Sequence, residues 1–427
     1  MRLALIAPFA RQPKGTTRAR VLPLARALAG RGHAVTVLVP PYDHPEEAGQ
    51  VYCVGRARVQ ALPVRAALPE QSWRQVVAQP LLAAALVRRA LRSQPDVVHV
   101  FKPKAVSGLA QLLLWHWRGW RRLSPWRRRR PGPALVLDTD DWEGFGGWNE
   151  YEACPWWQKA ACDWQERWGL EHADAVTVAS RTLETQAWSH RVQASRVVYL
   201  PNGLAPEDYP GWRAADPAAA KAALGLGHRP VLLLYTRFFE FPPERVVETL
   251  SRVRAALPET ALLVVGAGKY GQERQLEALA RQRGLGESVV SAGWQPPEAL
   301  AGLLAAGDVA LFPADDNLAN RSKCSAKLLE VLWLGKPVVV DRVGQQAEYV
   351  QDGVTGLLST PGDPQSMAEA ASRLLRDIHL NGGRALAGRL GEAGRQRVEQ
   401  AFDWPRLAVQ AERAYAAALD AVHGSKL

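Results

Sequence analysis

At 427 residues the chain exceeds one ordinary domain, and two domains of about 200 residues each are expected. Hydrophobic residues make up 47%, enough for two cores, yet no apolar run reaches the length that spans a bilayer, and the four cysteines (Cys53, Cys154, Cys162, Cys324) show neither metal-ligand spacing nor a disulfide framework. The formal charge of +11 is uneven: residues 1–130 hold 23 Lys and Arg against 5 Asp and Glu, so the remainder is net acidic, and the basic half suits nucleic acid, an anionic membrane or a phosphorylated substrate.

The opening MRLALIAPFA is too short an apolar run for a signal peptide and reads as a first strand at 2–8, so a cytoplasmic protein is expected. A loop rich in Pro, Gly and Thr follows, then apolar residues at helical spacing over 18–29 and a second strand at 33–40. In that loop Gly15, with Thr16 and Thr17, is either a plain strand-to-helix turn or a phosphate contact. A helix at 81–91 precedes the buried strand 96–101 (DVVHVF), where His99 reads as a packed core residue. Lys102 and Lys104 lie just past its end, open to a phosphate or to water.

Residues 108–133 interleave Trp115, Trp117, Trp120 and Trp126 with Arg118, Arg121, Arg122 and the run 127–130. Indoles beside guanidinium groups suit the interface of an anionic membrane, which makes Trp115 to Arg130 a candidate surface for the inner face of the membrane. A grip on RNA and a solvated basic loop are the other readings, and no recognisable nucleic-acid motif accompanies the stretch. The strand 134–138 then ends in DTDDWEG, and acidic residues crowded at a strand's carboxyl end are poorly explained by packing. Trp156, Trp157, Trp164 and Trp168 follow, suited to stacking on sugar or to a helix core face.

Strands at 173–180 and 197–203 close the first half, and the Pro, Gly and Ala content of 204–228 marks an interdomain linker. The second half opens with a strand at 230–236 that ends on Arg237. GAGKYG, ending at Gly271, matches Gly-x-Gly-x-x-Gly, but no acidic residue ends a strand about 20 residues later, so it is a weak dinucleotide fingerprint. A strand at 288–294 ends on Trp294. Residues 309–313, an irregular loop, a helix at 325–334 and a strand at 337–340 form one crossover unit, in which loop 320–324 with Arg321 and Lys323 is a candidate anion seat. Glu330 sits inside that apolar helix and needs a partner, either Lys327 on the same face or the hydroxyls of a ribose.

The run KLLEVLWLGKPVVVDRVGQQAEYVQDGVTGLL, residues 327–358, resembles the nucleotide-binding segment of the retaining GT-B glycosyltransferases of family 4. Glu330, Gly335, Lys336, Pro337, Gly344, Glu348, Thr355 and Gly356 fall on that pattern. The chain departs from it in three places. The first of the family's two glutamates is replaced by Ser322, with Asp315, Asp316, Asn317 and Asn320 nearby as substitutes. A histidine beside the donor sugar is replaced by Asp140, next to the matching Asp141. The lysine that usually follows the diphosphate-binding arginine, here Arg237, is absent.

The resemblance implies an α/β chain of two facing Rossmann-like domains with a cleft between them: an acceptor-side domain at 1–205, joined by a crossing helix at about 404–427, and a nucleotide-sugar domain at 206–403. It implies transfer of a sugar, with retention, from a nucleotide-diphosphate sugar to an acceptor hydroxyl, on a lipid-linked or membrane-associated acceptor. Asp140 and Asp141 would be catalytic. Gly15, Arg237, Lys323, Cys324 and Ser325 would meet the diphosphate, Ser322 and Arg321 the donor sugar, Glu330 the ribose and Trp294 the base. No cofactor and no metal are implied. Two rivals keep the fold: a sugar-nucleotide epimerase, and a sugar-nucleotide-binding protein without turnover.

Overall fold

The computed structural model describes all residues except 13–14, 43, 65–72, 124–131, 384 and 425–427, with side chains at 73–76 and 122–123 also outside the description. Its contacts divide it into two compact units, one of residues 1–203, 322–324 and 403–427, the other of residues 204–321 and 325–402.

Among the described residues the first unit holds an eight-stranded sheet. Its strands are β1 (Arg2–Ile6), β2 (Ala34–Val39), β3 (Val51–Val54), β4 (Ala57–Ala61), β5 (Val97–Phe101), β6 (Ala134–Thr139), β7 (Ala175–Val178) and β8 (Val197–Tyr199). The order is β3-β4-β2-β1-β5-β6-β7-β8, parallel throughout except for β3 on β4. The continuous apolar runs of β5, β6 and β7 are buried along their whole length, as parallel strands covered on both faces require. The chain leaves β1 to build one side of the sheet and returns at β5 to build the other. The carboxyl ends of β1 and β5 therefore form the switch point where such sheets bind ligands.

Two helices lock this unit from outside the sheet. The last helix, Trp404–Gly424, returns to it: Glu412 accepts from Arg31 at 2.7 and 2.8 Å and meets His33 Nε2 at 2.8 Å. Its Tyr415 hydroxyl meets His99 Nδ1 at 3.0 Å, while His99 Nε2 faces Thr177 at 3.1 Å. Burial, with Arg20 nearby, pushes the His99 pKa well down, so His99 is a neutral core residue. The helix Ala105–Leu123 turns Trp115 edge-on to Trp168 and pairs Arg118 with Asp174. Arg118 is thereby buried in the packed unit, which corrects its reading as membrane-facing, whereas Trp115 stays half-buried. Trp120 stays in solvent, 82% exposed, whereas Trp126 and residues 127–130 lie outside the described residues.

The second unit, among the described residues, is a six-stranded parallel sheet in the order β11-β10-β9-β12-β13-β14. Its strands are β9 (Val231–Tyr235), β10 (Ala261–Val265), β11 (Val289–Gly293), β12 (Val309–Phe312), β13 (Val338–Asp341) and β14 (Leu357–Ser359). Leu232, Leu234, Leu262 and Val264 pack with Leu250 of the helix Pro243–Ala256 and Leu374 of the helix Pro364–Asn381 in one core. Its switch point lies between β9 and β12. The segment 204–228, expected as a linker, is a folded part of this unit. Trp212 is buried, the helix Pro217–Ala223 is capped by Asp216, and Lys221 pairs with Asp308 at 2.6 Å. Its alanines read as a linker because the residues that anchor it are spaced among them.

Candidate functional site

In the first unit the switch point is a buried group of charges. Arg20, on the π-turn Thr17–Val21 after β1, is sealed from water and grips Asp138 at the end of β6 with Nε at 2.7 Å and Nη2 at 2.6 Å. The same guanidinium donates to the Leu200 carbonyl at 2.7 Å and to Asn202 Oδ1 at 3.1 Å. Two residues further along, Asp140 accepts from the Thr16 hydroxyl at 2.7 Å. Lys102, at the end of β5, places its ammonium 3.3 Å from Asp140, 2.7 Å from Asp141 and 3.2 Å from Glu143. Lys104 donates to Glu143 at 2.9 Å and to Asn149 at 2.6 Å.

Burial alone would hold these carboxyls neutral, but the cations reverse that for two of them. Lys102 and Arg20 hold Asp140 below the usual aspartate range, and Lys104 with Lys102 does the same for Glu143. Asp141 moves the other way, since burial and the charges of Asp140 and Glu143 outweigh Lys102. Glu166, on the helix Trp156–His172, is a different case. Burial, then the charge of Glu143, pushes its pKa well above the usual glutamate range. The hydrogen bonding agrees: the Thr139 hydroxyl lies 3.0 Å from the Asp141 carbonyl and 3.0 Å from Glu166 Oε1. That hydroxyl has one proton and the carbonyl can only accept, so a neutral Glu166 that donates to Thr139 completes the chain.

Residues 322–324 group with this unit. Ser322 Oγ accepts from the Trp142 N–H at 3.4 Å and its carbonyl accepts from the Ser180 hydroxyl at 2.9 Å. Cys324 is buried, with its Sγ and carbonyl accepting from Asn202 at 3.1 and 2.9 Å, and Lys323 Nζ lies 5.5 Å from the Trp148 ring centre. Cys324 is thus a packed structural residue.

In the second unit Glu330 is sealed within the helix Ala326–Trp333 and accepts from the Tyr209 hydroxyl at 2.8 Å. Tyr209 comes from the segment read as a linker. Lys327, on the same helix, also places its Nζ 4.1 Å from the Tyr235 ring centre. Ser325 caps the helix, its hydroxyl accepting from the Leu328 N–H. The loop before it is partly helical, Leu318–Ser322, and its Arg321 is held by both oxygens of Asp316, which offsets the charge assigned to an anion seat. Asp315 pairs with Arg245 at 3.2 Å, so neither aspartate is an unpaired stand-in for the missing glutamate. Gly344 comes so close to this turn that a Cβ there would lie 2.3 Å from the Arg321 carbonyl, at φ +45°. Arg237 and Trp294 are exposed at the ends of β9 and β11, with the Arg237 guanidinium 5.7 Å from the Phe239 ring centre. In GAGKYG the Gly268 N–H is bonded to Glu273 at 2.9 Å, and a Cβ on Gly266 would strike the Thr236 carbonyl at 1.9 Å. That motif is a packing turn.

The glycosyl transferase 4-like domain model matches residues 15–203, and the model for glycosyl transferases group 1 matches residues 229–377. The chain belongs to the group 1 glycosyltransferases of the family 4 type. Two relatives are mycobacterial enzymes. The GDP-mannose-dependent alpha-(1-6)-phosphatidylinositol monomannoside mannosyltransferase of Mycolicibacterium smegmatis is 28% identical over 84% of this chain and 85% of its own. The phosphatidyl-myo-inositol mannosyltransferase of Mycobacterium leprae is 24% identical over 100% of this chain and 99% of its own. Among solved structures, sucrose-phosphate synthase from Thermosynechococcus elongatus superposes with a TM-score of 0.69 at 24% identity, over 97% of this chain and 98% of that one, and shares the GT-B fold.

This glycosyltransferase therefore has the two parallel-sheet α/β units of that fold and the activity of a nucleotide-sugar hexosyltransferase. Of the residues singled out in its sequence, Asp140 and Asp141 stand together with Lys102, and Thr16, the residue after Gly15, reaches Asp140, while the Gly15 carbonyl accepts from the Ala19 N–H at 2.8 Å. Lys102 is nearly sealed and Lys104 only partly exposed, and both are bound to carboxylates. Asp138 and Glu143 belong to the acidic run singled out in the sequence, whereas Arg20, Glu166 and Tyr209 were not anticipated. The acidic strand end DTDDWE beside Lys102 and Lys104 was the available signal, because buried carboxylates demand cations.

Neutral Glu166 has a measurable consequence. A carboxyl whose folded pKa is raised contributes stability that is intact below its unfolded pKa and is lost as pH rises through the folded value. Glu166→Gln keeps the donor to Thr139 and removes the titration. We expect its unfolding free energy to rise relative to the wild type between pH 5 and pH 8, with a limiting slope of about 1.4 kcal/mol per pH unit. A difference that stays constant over that range would show that Glu166 is buried as the anion.

Proposed function

We propose that this glycosyltransferase binds a nucleoside diphosphate hexose on its second unit and transfers the sugar, with retention, to a hydroxyl of a lipid-linked polyol. The observation that carries this reading is Glu330, a carboxylate sealed in an apolar helix and oriented by Tyr209, as a ribose diol acceptor requires. Arg237, with the backbone at the start of the helix capped by Ser325, would oppose the diphosphate, and Trp294 would flank the base. Cys324 would contribute backbone only. Ser322 and Arg321 are weaker donor-sugar candidates, one engaged with Trp142 and Ser180 and the other held by Asp316.

In the transfer, the acceptor oxygen forms the new bond to the anomeric carbon as the bond to the diphosphate breaks. The electron pair and the acceptor's proton leave with the diphosphate. Asp141 orients the reacting hydroxyls, and positioning with charge stabilisation supplies most of the rate. No metal is assigned a step.

The lipid character of the acceptor is favoured by the names of both mycobacterial relatives, which act on phosphatidylinositol-based substrates. It is also favoured by exposed indoles in the basic unit, Trp120 and Trp156, the latter 79% exposed. Among the described residues no helix is long and apolar enough to cross a membrane. Contact would therefore be peripheral.

Melting of the protein with GDP-mannose and with UDP- and ADP-hexoses tests the donor site. One base family should raise the midpoint, and Glu330→Ala should abolish the rise. No rise with any donor contradicts the assignment. For the membrane, the wild type should co-sediment with vesicles containing anionic phospholipid more than with neutral ones. Trp120→Ala/Trp156→Ala should weaken this severalfold, and equal sedimentation of both proteins would rule those indoles out.

A further inference from the structure

The lysines past β5 were expected to meet phosphate or water, and the structure instead commits them to carboxylates. Arg20 is matched by Asp138 and Lys104 by Glu143, while Lys102 is shared between Asp140 and Asp141 with Glu143 also in reach. With Glu166 neutral, these groups carry one negative charge more than positive. The excess has a place to sit. Side-chain exposure is 0% at Glu143, 7% at Asp140 and 8% at Lys102, but 20% at Asp141, the outermost of the four. Lys102 holds Asp141 Oδ2 at 2.7 Å, and among the described residues no protein donor is bonded to Oδ1.

The backbone is shaped for this hold. Lys102 adopts φ +59° and Ala105 φ +51°, left-handed conformations that cost a side-chain-bearing residue about 1–3 kcal/mol. The turn is pinned by the Lys102 N–H to the Asp138 carbonyl at 2.8 Å and by the Ser107 hydroxyl to the Lys102 carbonyl. This turn lies at the end of a switch-point strand and carries the buried Lys102 ammonium.

We propose that Lys102 is the positioning residue of the transfer site: it fixes Asp141 through one oxygen and presents the other to a neutral hydroxyl, of the sugar or of a polyol acceptor, and not to a phosphate group. The proposal rests on the transferase reading for its role in the reaction, though not for the ion cluster itself. A residual negative charge repels an anionic substituent and accepts hydroxyl protons, so this strand end selects the hydroxylated part of the ligand. Around the ammonium the charged and titratable groups are Asp140, Asp141, Glu143 and Asp138 from β6 and its loop, and Arg20 from the π-turn. Lys104 lies beside it, and Glu166 and Cys162 lie on the helix behind.

The test uses the full chain with Lys102→Met, Lys102→Arg, Asp141→Asn and the double variant Lys102→Met/Asp141→Asn. Two quantities are followed between pH 5 and pH 8: the melting midpoint, and the release of nucleoside diphosphate from GDP-mannose, UDP-glucose and ADP-glucose. Without the ammonium the buried carboxyls must protonate to stay folded, so their folded pKa values rise and stability is lost as pH increases. Lys102→Met should therefore melt near the wild type at pH 5 and fall progressively below it towards pH 8. Its acid limb of release should move up by about one pH unit or more, with a rate loss of at least about tenfold, while Lys102→Arg retains the wild-type limb. In the Asp141→Asn background the same substitution should change the rate by less than about twofold.

A stability loss equal at pH 5 and pH 8, or rate effects that multiply independently of Asp141, would overturn the proposal. If the wild type releases diphosphate from no donor, the donor reading fails, and the midpoint series alone still decides whether Lys102 holds the carboxylates. Should Lys102→Met fail to fold at pH 8, Lys102→Gln replaces it in the same series.

Discussion

A guanidinium sealed from water organises the first unit. Arg20 reaches from the turn after β1 to Asp138 on β6 and to the backbone just past β8, so one side chain sets the spacing of three strand ends. Removing either partner of such a buried pair would leave an uncompensated charge, at a cost of about 3–5 kcal/mol. The π-turn at Thr17–Val21 is what aims Arg20 inward, and the same turn delivers Thr16 to Asp140. Local backbone geometry and the acidic strand end are thus two sides of one constraint.

Given that frame, the remaining carboxyls sort by environment. Lys102 and Lys104 hold Asp140 and Glu143 below the usual carboxylate range, whereas at Glu166 burial and the charge of Glu143 outweigh Lys102 and push the pKa well up. Carboxyls of one sequence stretch and one adjacent helix therefore serve different ends. The second unit uses the same device more sparingly. Arg245 stands between Asp315 and Asp341, where burial lifts Asp341 to about 6, and these pairs fix the loops at the β9–β12 switch point.

Much of the fold was legible because parallel strands are apolar throughout: VVHVF, ALVLDT and VLLLY leave little choice of element. Glu330 was legible for the opposite reason, a charge where the periodicity demands apolar residues. The partners were not legible. Lys102 and Asp141 are 39 residues apart and Glu330 and Tyr209 are 121 apart, and only the strand order brings each pair together. Segment 204–228 misled because composition records alanines and prolines but not which tryptophan or lysine is buried among them. In Trp115 to Arg130 the same blindness ran the other way: a run that looks uniformly interfacial contains Arg118, spent on Asp174, beside Trp120, which stays in water.

The central claim is that a nucleoside diphosphate is held on the second unit at the helix carrying Glu330. Hydrogen–deuterium exchange in the presence of UDP, GDP or ADP addresses it directly. One of the three should slow exchange over residues 325–334 and 341–346 and leave 364–381 unchanged. Unaltered exchange with all three, or protection confined to other segments, would contradict the account.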